Sequence, residues 1–331
     1  METKWSESSM KNMVLILVIV YAMVLSMPIN KSYKSYHLMI PAVLFSAGVI
    51  ITGKFAVQHY GSYTIIFFRF LIASIILFPF AKANYTPFKL RDLPILTIIG
   101  FIGFFLYNTL IVKALISTSA SNISIISALI PITTLLIETI VFKARLRRNH
   151  LIAIALSFLS VMFVITNGHI LMIFEISWSK GDLLMLLGIF CISIYSIFNS
   201  RTKLSYPPLQ LLLFYFIITT IISTPLALNE MPSQFSLVGT LSIIYQGVMG
   251  TGITYILIQL SLKKYGANQT LIYFNFIPIV ALALSIIILG EPLSFSLIVS
   301  SILMIASIRL VFTPKAFKLK HATTSISKGS S

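Results

Sequence analysis

The sequence predicts an all-α, polytopic membrane protein: a ten-helix bundle of two inverted five-helix repeats, with an extra hydrophobic helix ahead of them. Three observations predict it. Apolar residues make up 57% of the chain and charged residues 10%, against roughly 25% charged in soluble proteins. Apolar runs of about 18 residues or more recur, the length a helix needs to cross ~30 Å of hydrocarbon at ~1.5 Å per residue. A shift of 147 places carries Pro131 onto Pro278, Ala120 onto Ala267, Leu135 onto Leu282 and Leu146 onto Leu293. Matching prolines at a constant offset indicate a duplication whose halves each end in the same helix pair.

Composition also narrows the function classes. The net charge of +16 does not point to nucleic acid, because the charges sit in short loops between spans with no aromatic interleaving. The single cysteine, Cys191, lies inside a span, can form no intrachain disulfide and has no metal-ligand spacing around it. No cofactor and no metal is expected; the expected partners are a small-molecule substrate and the lipid bilayer.

Residues 1–37 form a tail. Met13–Met27 is almost wholly apolar and closed by Pro28, short for a span and sized like the core of a signal peptide. Ser26-Met27-Pro28 is a poor cleavage site, so an uncleaved extra helix is the preferred reading; a start at Met27 or Met39 would remove it. The first repeat, 38–166, holds spans at 38–58, 64–80, 93–112, 119–142 and 151–166. A connection at 167–180 leads to the second repeat, 181–312, with spans near 182–200, 209–228, 236–262, 268–289 and 293–312. The tail 313–331 is basic, then Ser/Thr-rich, the composition of a disordered segment.

Lys and Arg mark the cytoplasmic side because they resist translocation. The loops after spans two, four, six and eight hold three, four, two and two of them, and the tail adds four more. The loops after the odd-numbered spans hold one at most. Both ends of the ten-span bundle are therefore expected in the cytoplasm. An odd number of spans per repeat inverts the halves relative to each other, a transporter design with the site near the midplane. Low charge and short loops fit a bacterial inner membrane.

Three pieces of sequence then stand in order: Phe-Phe-Arg69-Phe-Leu-Ile-Ala73 in the second span, Lys113-Ala-Leu-Ile-Ser-Thr-Ser-Ala120-Ser-Asn leading to Pro131, and Leu289-Gly290-Glu291-Pro292-Leu293 before the last span. Together they make the chain, from Leu38 to Phe312, resemble the ten-helix drug/metabolite transporter superfamily of the EamA type. The resemblance implies movement of a small metabolite by alternating access, import or export. One position departs from the family's repeated Gly-Glu pair: Lys143 and Ala144 stand opposite Gly290 and Glu291, so the first copy lacks that carboxylate.

Polar groups at membrane depth are costly and need a partner, water or a use. Tyr107 and Asn108 in the third span, and Gln246, Thr251, Tyr255 and Gln259 in the eighth, are the candidate pathway residues; the bland alternative is interhelical packing. At helical spacing Thr251, Tyr255 and Gln259 share a stripe. Asn275 stands one turn before Pro278, and Pro131 and Pro278 break their helices and free a carbonyl. Tyr195 and Asn199 are weaker candidates. Lys54 reads as snorkelling to the interface or lining the pathway, Arg69 as paired with a carboxylate or helix carbonyls, and Glu138 as an interfacial ion pair, a gate or a proton-coupling carboxylate. Glu291, followed by proline, reads as facing the N-terminus of the tenth helix or the substrate.

The amide and aromatic content suggests a neutral or zwitterionic substrate with an apolar part: an amino acid, a nucleoside or an amphiphilic drug. The sparse carboxylates argue against a multi-site cation pump and leave a proton or a counter-substrate as the partner for coupling. A non-transporting scaffold or sensor is the competing class. An enzyme would need convergent acid, base or metal groups, and the spans contain no such motif.

Overall fold

The computed structural model of the chain describes residues 36–83, 85–143, 148–169, 179–202, 206–266, 270 and 272–311. Met13–Met27, Lys31, Lys34, Ala144, Arg145, Arg147, the middle of the connection and the C-terminal tail lie outside the described residues, as does the side chain of Asn275.

Apolar runs become helices because hydrocarbon offers the backbone no hydrogen-bond partner, and a helix satisfies its own. Seven helices are long and apolar enough to cross a membrane by length and composition. They are α1 (Tyr36–Ala56), α2 (Ser62–Lys82), α3 (Leu90–Ser117), α4 (Ala120–Phe142), α6 (Lys180–Arg201), α7 (Pro208–Leu228) and α8 (Leu237–Tyr265). Three shorter apolar helices, α5 (Arg148–Ile165), α9 (Ile277–Leu289) and α10 (Phe295–Val311), complete the set. Each occupies one expected span, and the described residues contain no strand.

The packing obeys the exchange of halves that the 147-residue offset implies. Helices α2 and α7, equivalent by the offset, pack on each other, and so do α5 and α10. Other contacts come as mirrored pairs: α3 with α6 answers α8 with α1, and α4 with α6 answers α9 with α1. A pseudo-two-fold exchange of the halves relates both patterns, and five spans in each half make the repeats inverted.

Two spans are less regular than their hydropathy suggests. Helix α4 is interrupted at Ala128–Leu129, between Ala120–Ser127 and Ile130–Phe142. The regular part of the ninth span begins only at Ile277, after a 3₁₀ turn at Ile272–Phe276. Both interruptions stand just before Pro131 and Pro278, inside the expected spans 119–142 and 268–289. Pro131 and Pro278 sit in the first turn of the segments that follow, where a missing N–H costs nothing, and each prevents continuation from the turn before it.

The same two helices end alike. The N–H of Lys143 bonds to the carbonyl of Glu138 and that of Gly290 to Ser285, each cap residue in the left-handed region at φ 52 and φ 65. A glycine accepts that backbone without strain, whereas lysine does not. Lys143→Gly is therefore expected to raise stability by about 0.5–1 kcal/mol, read as a higher unfolding midpoint of the detergent-solubilised protein.

Candidate functional site

One end of the bundle carries Lys82, Lys143, Arg201, Lys263 and Lys264; the other carries Asp182, Glu230 and Glu291. Between them, α3 and α8 depart from α-helical geometry at equivalent positions. A π-helical turn runs over Phe101–Leu106 in α3 and over Gln246–Ile253 in α8, and the offset carries the first range onto 248–253. Such turns widen the helix, leave carbonyls without their usual partner and recur at functional sites. Side chains add hydrogen bonds to carbonyls of these turns. Asn108 Nδ2 donates to Phe104 O at 2.7 Å and Thr109 Oγ1 to Phe105 O at 2.7 Å. In the other half Thr254 Oγ1 donates to Met249 O at 2.7 Å.

Glycines in these turns admit neighbouring rings. The Tyr195 ring packs on Gly103 and the Tyr215 ring on Gly100, each close enough that a Cβ would overlap it. This draws α6 and α7 against α3 and builds an aromatic wall around Phe104. Its ring centroid lies 5.1 Å from Tyr195, 5.5 Å from Tyr215, 5.4 Å from Phe216, 6.0 Å from Tyr255 and 6.2 Å from Phe70. Edge-to-face and stacked pairs of this kind contribute about 0.5–1.5 kcal/mol each beyond burial.

Arg69 of α2 meets the π turn of α8. It is buried, and its Nε donates to Thr251 Oγ1 at 2.8 Å. The phenols of Tyr107 and Tyr255 lie near enough to couple to its charge. Tyr107, Tyr195 and Tyr255 are each half-buried. Gln246, in the same π turn as Thr251, is 1% exposed, and its Nε2 has no hydrogen-bond partner among the described residues.

The structure thus brings Arg69, Tyr107, Thr251 and Tyr255 together, with Gln246 in the same turn. It ties Asn108 to its own backbone and leaves Gln259 half-buried, two turns nearer the basic end than Thr251. The straight stripe through Thr251, Tyr255 and Gln259 is corrected, because the π turn that holds Thr251 breaks the 3.6-residue register. Arg69 has no carboxylate partner among the described residues; a hydroxyl bonds it instead.

Two other charged residues, Lys54 and Glu291, sit differently from expectation, while Glu138 makes the ion pair that was one of its readings. Lys54 does not snorkel outward: its Nζ donates to Leu115 O and Thr118 O, both at 2.7 Å, at the C-terminal end of α3. Glu291 faces the start of α4 rather than α10, accepting from the N–H groups of Ala120 and Ser121, each at 2.8 Å, and from the Ser121 hydroxyl. Glu138 pairs with Arg201 of α6 at 3.9 Å, both partly exposed, a geometry that contributes at most ~1 kcal/mol.

Sequence reasoning passed over Asp182 and Glu230. Asp182 accepts from Thr118 Oγ1 at 2.6 Å, and Glu230 from the N–H of Tyr63 at 2.8 Å at the start of α2. Carboxylates in loops beside expected helix starts were the available signal. The glycine spacing Gly100-x-x-Gly103 was the signal for the aromatic wall.

The family described as the EamA-like transporter family matches the chain twice, over residues 34–166 and 179–313. Among curated proteins the chain is similar to the uncharacterized transporter YyaM of Bacillus subtilis (strain 168), with 23% identity over 84% of this chain and 93% of that one. An uncharacterized transporter of Archaeoglobus fulgidus is 24% identical over 78% of this chain and 91% of its own length. A solved crystal structure superposes with a TM-score of 0.59 at 15% identity, covering 84% of this chain and 96% of that one, a likeness of fold.

Proposed function

The chain belongs to the EamA-like transporter family, and from that premise we propose that it moves a small polar or amphiphilic metabolite by alternating access. An amino acid, a nucleoside or a drug-like amphiphile fits the site. One observation carries this reading: π turns stand at equivalent positions of the inverted halves, in α3 and α8, and the buried Arg69 bonds into the second of them. A scaffold has no need of a buried guanidinium that no carboxylate among the described residues answers. The repeats, taken as 38–166 and 181–312, rock about this spot. Glu138–Arg201 ties α4 to α6 at one end. Lys54 ties α1 to the end of α3 at the other. Glu138–Arg201 crosses between the repeats and acts as a gate contact, whereas the Lys54 contact braces the first repeat internally. The basic end faces the cytoplasm of a bacterial inner membrane, following the distribution of Lys and Arg.

Paired metabolite profiles of cells and medium, compared between overexpression, deletion and the double variant Gln246→Leu/Tyr255→Phe, test the reading. Asn108 is left alone because its amide supports the π turn. We expect one compound class to move in opposite directions on overexpression and deletion, and the variant to lose about tenfold in flux, the value of one lost hydrogen bond of ~1.4 kcal/mol, at unchanged membrane abundance. A well-expressed variant with full flux would remove Gln246 and Tyr255 from the site.

A further inference from the structure

We propose that the site takes an organic anion, whose carboxylate or equivalent oxygens dock on the Arg69 guanidinium while its apolar body lies against Phe104, Tyr107, Tyr195 and Tyr255. The proposal rests on the transport reading above and names the substrate class. A guanidinium stays charged in a protein and offers five donors in a rigid fork. Here Nε is taken by a neutral hydroxyl, Thr251 Oγ1, and the guanidinium carbon lies 5.3 Å from the Phe70 ring centroid, which leaves the charge without an anion.

Every carboxylate among the described residues is engaged elsewhere. Asp92 bonds Tyr206, Glu138 pairs with Arg201, Asp182 accepts from Thr118, Glu230 caps α2 and Glu291 caps α4. A buried charge without a partner is strongly disfavoured, so a permanent one marks where a partner comes and goes. The other groups around it agree. Gln246 Nε2 is a buried donor without an acceptor. The phenols of Tyr107 and Tyr255 lie within electrostatic reach of Arg69. The set is rich in donors and contains no anion, which complements an acceptor-rich ligand and repels a cation. The aromatic wall offers the remaining surface, flat and apolar.

Matched probes test it. The full-length protein in lipid nanodiscs is titrated calorimetrically with three bodies (methyl, cyclohexylethyl and phenylethyl), each as the carboxylate, the primary amide and the ammonium. For at least one body the carboxylate is expected to bind ~10-fold tighter than its amide, the equivalent of ~1.4 kcal/mol, with the ammonium weakest. Arg69→Gln should erase that gap, and Arg69→Lys should keep part of it as a point charge that lacks the fork. Equal affinities for carboxylate and amide across all bodies, no binding by any carboxylate, or a gap that survives Arg69→Gln in a monodisperse variant would each overturn the proposal. The metabolite profile separates this failure from that of the transport reading. A neutral or cationic compound that follows expression overturns the anion alone. No compound shifting at high abundance overturns transport, while the nanodisc contrast still reads the anion site.

Discussion

Replacing Glu291 with alanine is expected to lower the unfolding free energy by about 2–4 kcal/mol, the largest stability effect of any substitution at a charged residue here. Both carboxylate oxygens are used. They accept from the N–H groups of Ala120 and Ser121, each at 2.8 Å, and from the Ser121 hydroxyl. Hydrogen bonds to a charged group contribute about 1.5–3 kcal/mol, and a negative charge at a helix N-terminus adds ~0.3–1 kcal/mol. The loss would also be felt by Lys54, whose ammonium lies within electrostatic reach of Glu291. Lys54 in turn holds Leu115 O and Thr118 O, and Asp182 holds the Thr118 hydroxyl. The turn between α3 and α4 is thus clamped by groups from α1, α6 and the α9–α10 loop. Glu291→Gln should recover only a fraction, because one of its two polar atoms becomes a donor facing a donor. Chemical denaturation of the purified protein in detergent reads the difference; an alanine variant within ~0.5 kcal/mol of wild type, the range of an ordinary surface change, would sink the clamp.

Gly103→Ala is expected to cost about 1–3 kcal/mol by overpacking and to reduce flux by roughly tenfold or more, since a displacement of about 1 Å in a positioned group costs up to 10²-fold. The added methyl would overlap Cβ, Cγ and Cδ2 of Tyr195. These atoms belong to the stem and ring of a side chain fixed by its contacts with Phe104 and Tyr215, so the overlap cannot be relieved by swinging a flexible tip. Tyr195 must turn away and the wall around Phe104 must open. Pairing the change with Tyr195→Ala supplies the test. If the clash is the cause, the double variant is more stable than the sum of the single effects, with a coupling of about 0.5–3 kcal/mol. Strict additivity would show that Gly103 matters for some reason other than the ring.

Much of the architecture was legible in the chain because membrane folding follows rules with long-range reach. A span must satisfy its own backbone, so length and hydropathy fix the helices. The 147-residue offset fixed the duplication, and the structure repeats it in detail, down to the left-handed caps at Lys143 and Gly290. The breaks at Pro131 and Pro278 were legible too, because a missing N–H is a local fact. The π turns were not. Their glycines were visible, but whether a helix widens depends on which ring packs against it, and Tyr195 is 92 residues from Gly103 along the chain.

The sequence by itself determined an all-helical, duplicated membrane bundle and drew attention to Arg69, Tyr107, Thr251 and Tyr255 as polar groups at depth. It could not choose their partners, because hydropathy and spacing say that a charge is buried but not what faces it. Tertiary structure decided that Glu291 serves α4, that Glu138 goes to Arg201, and that Lys54 turns inward to two carbonyls. It decided as well that Arg69 meets a hydroxyl and two phenols rather than a carboxylate. The physical reason is that an ion pair is a short-range contact between side chains far apart in sequence, and only the packed helices set which of them come within reach.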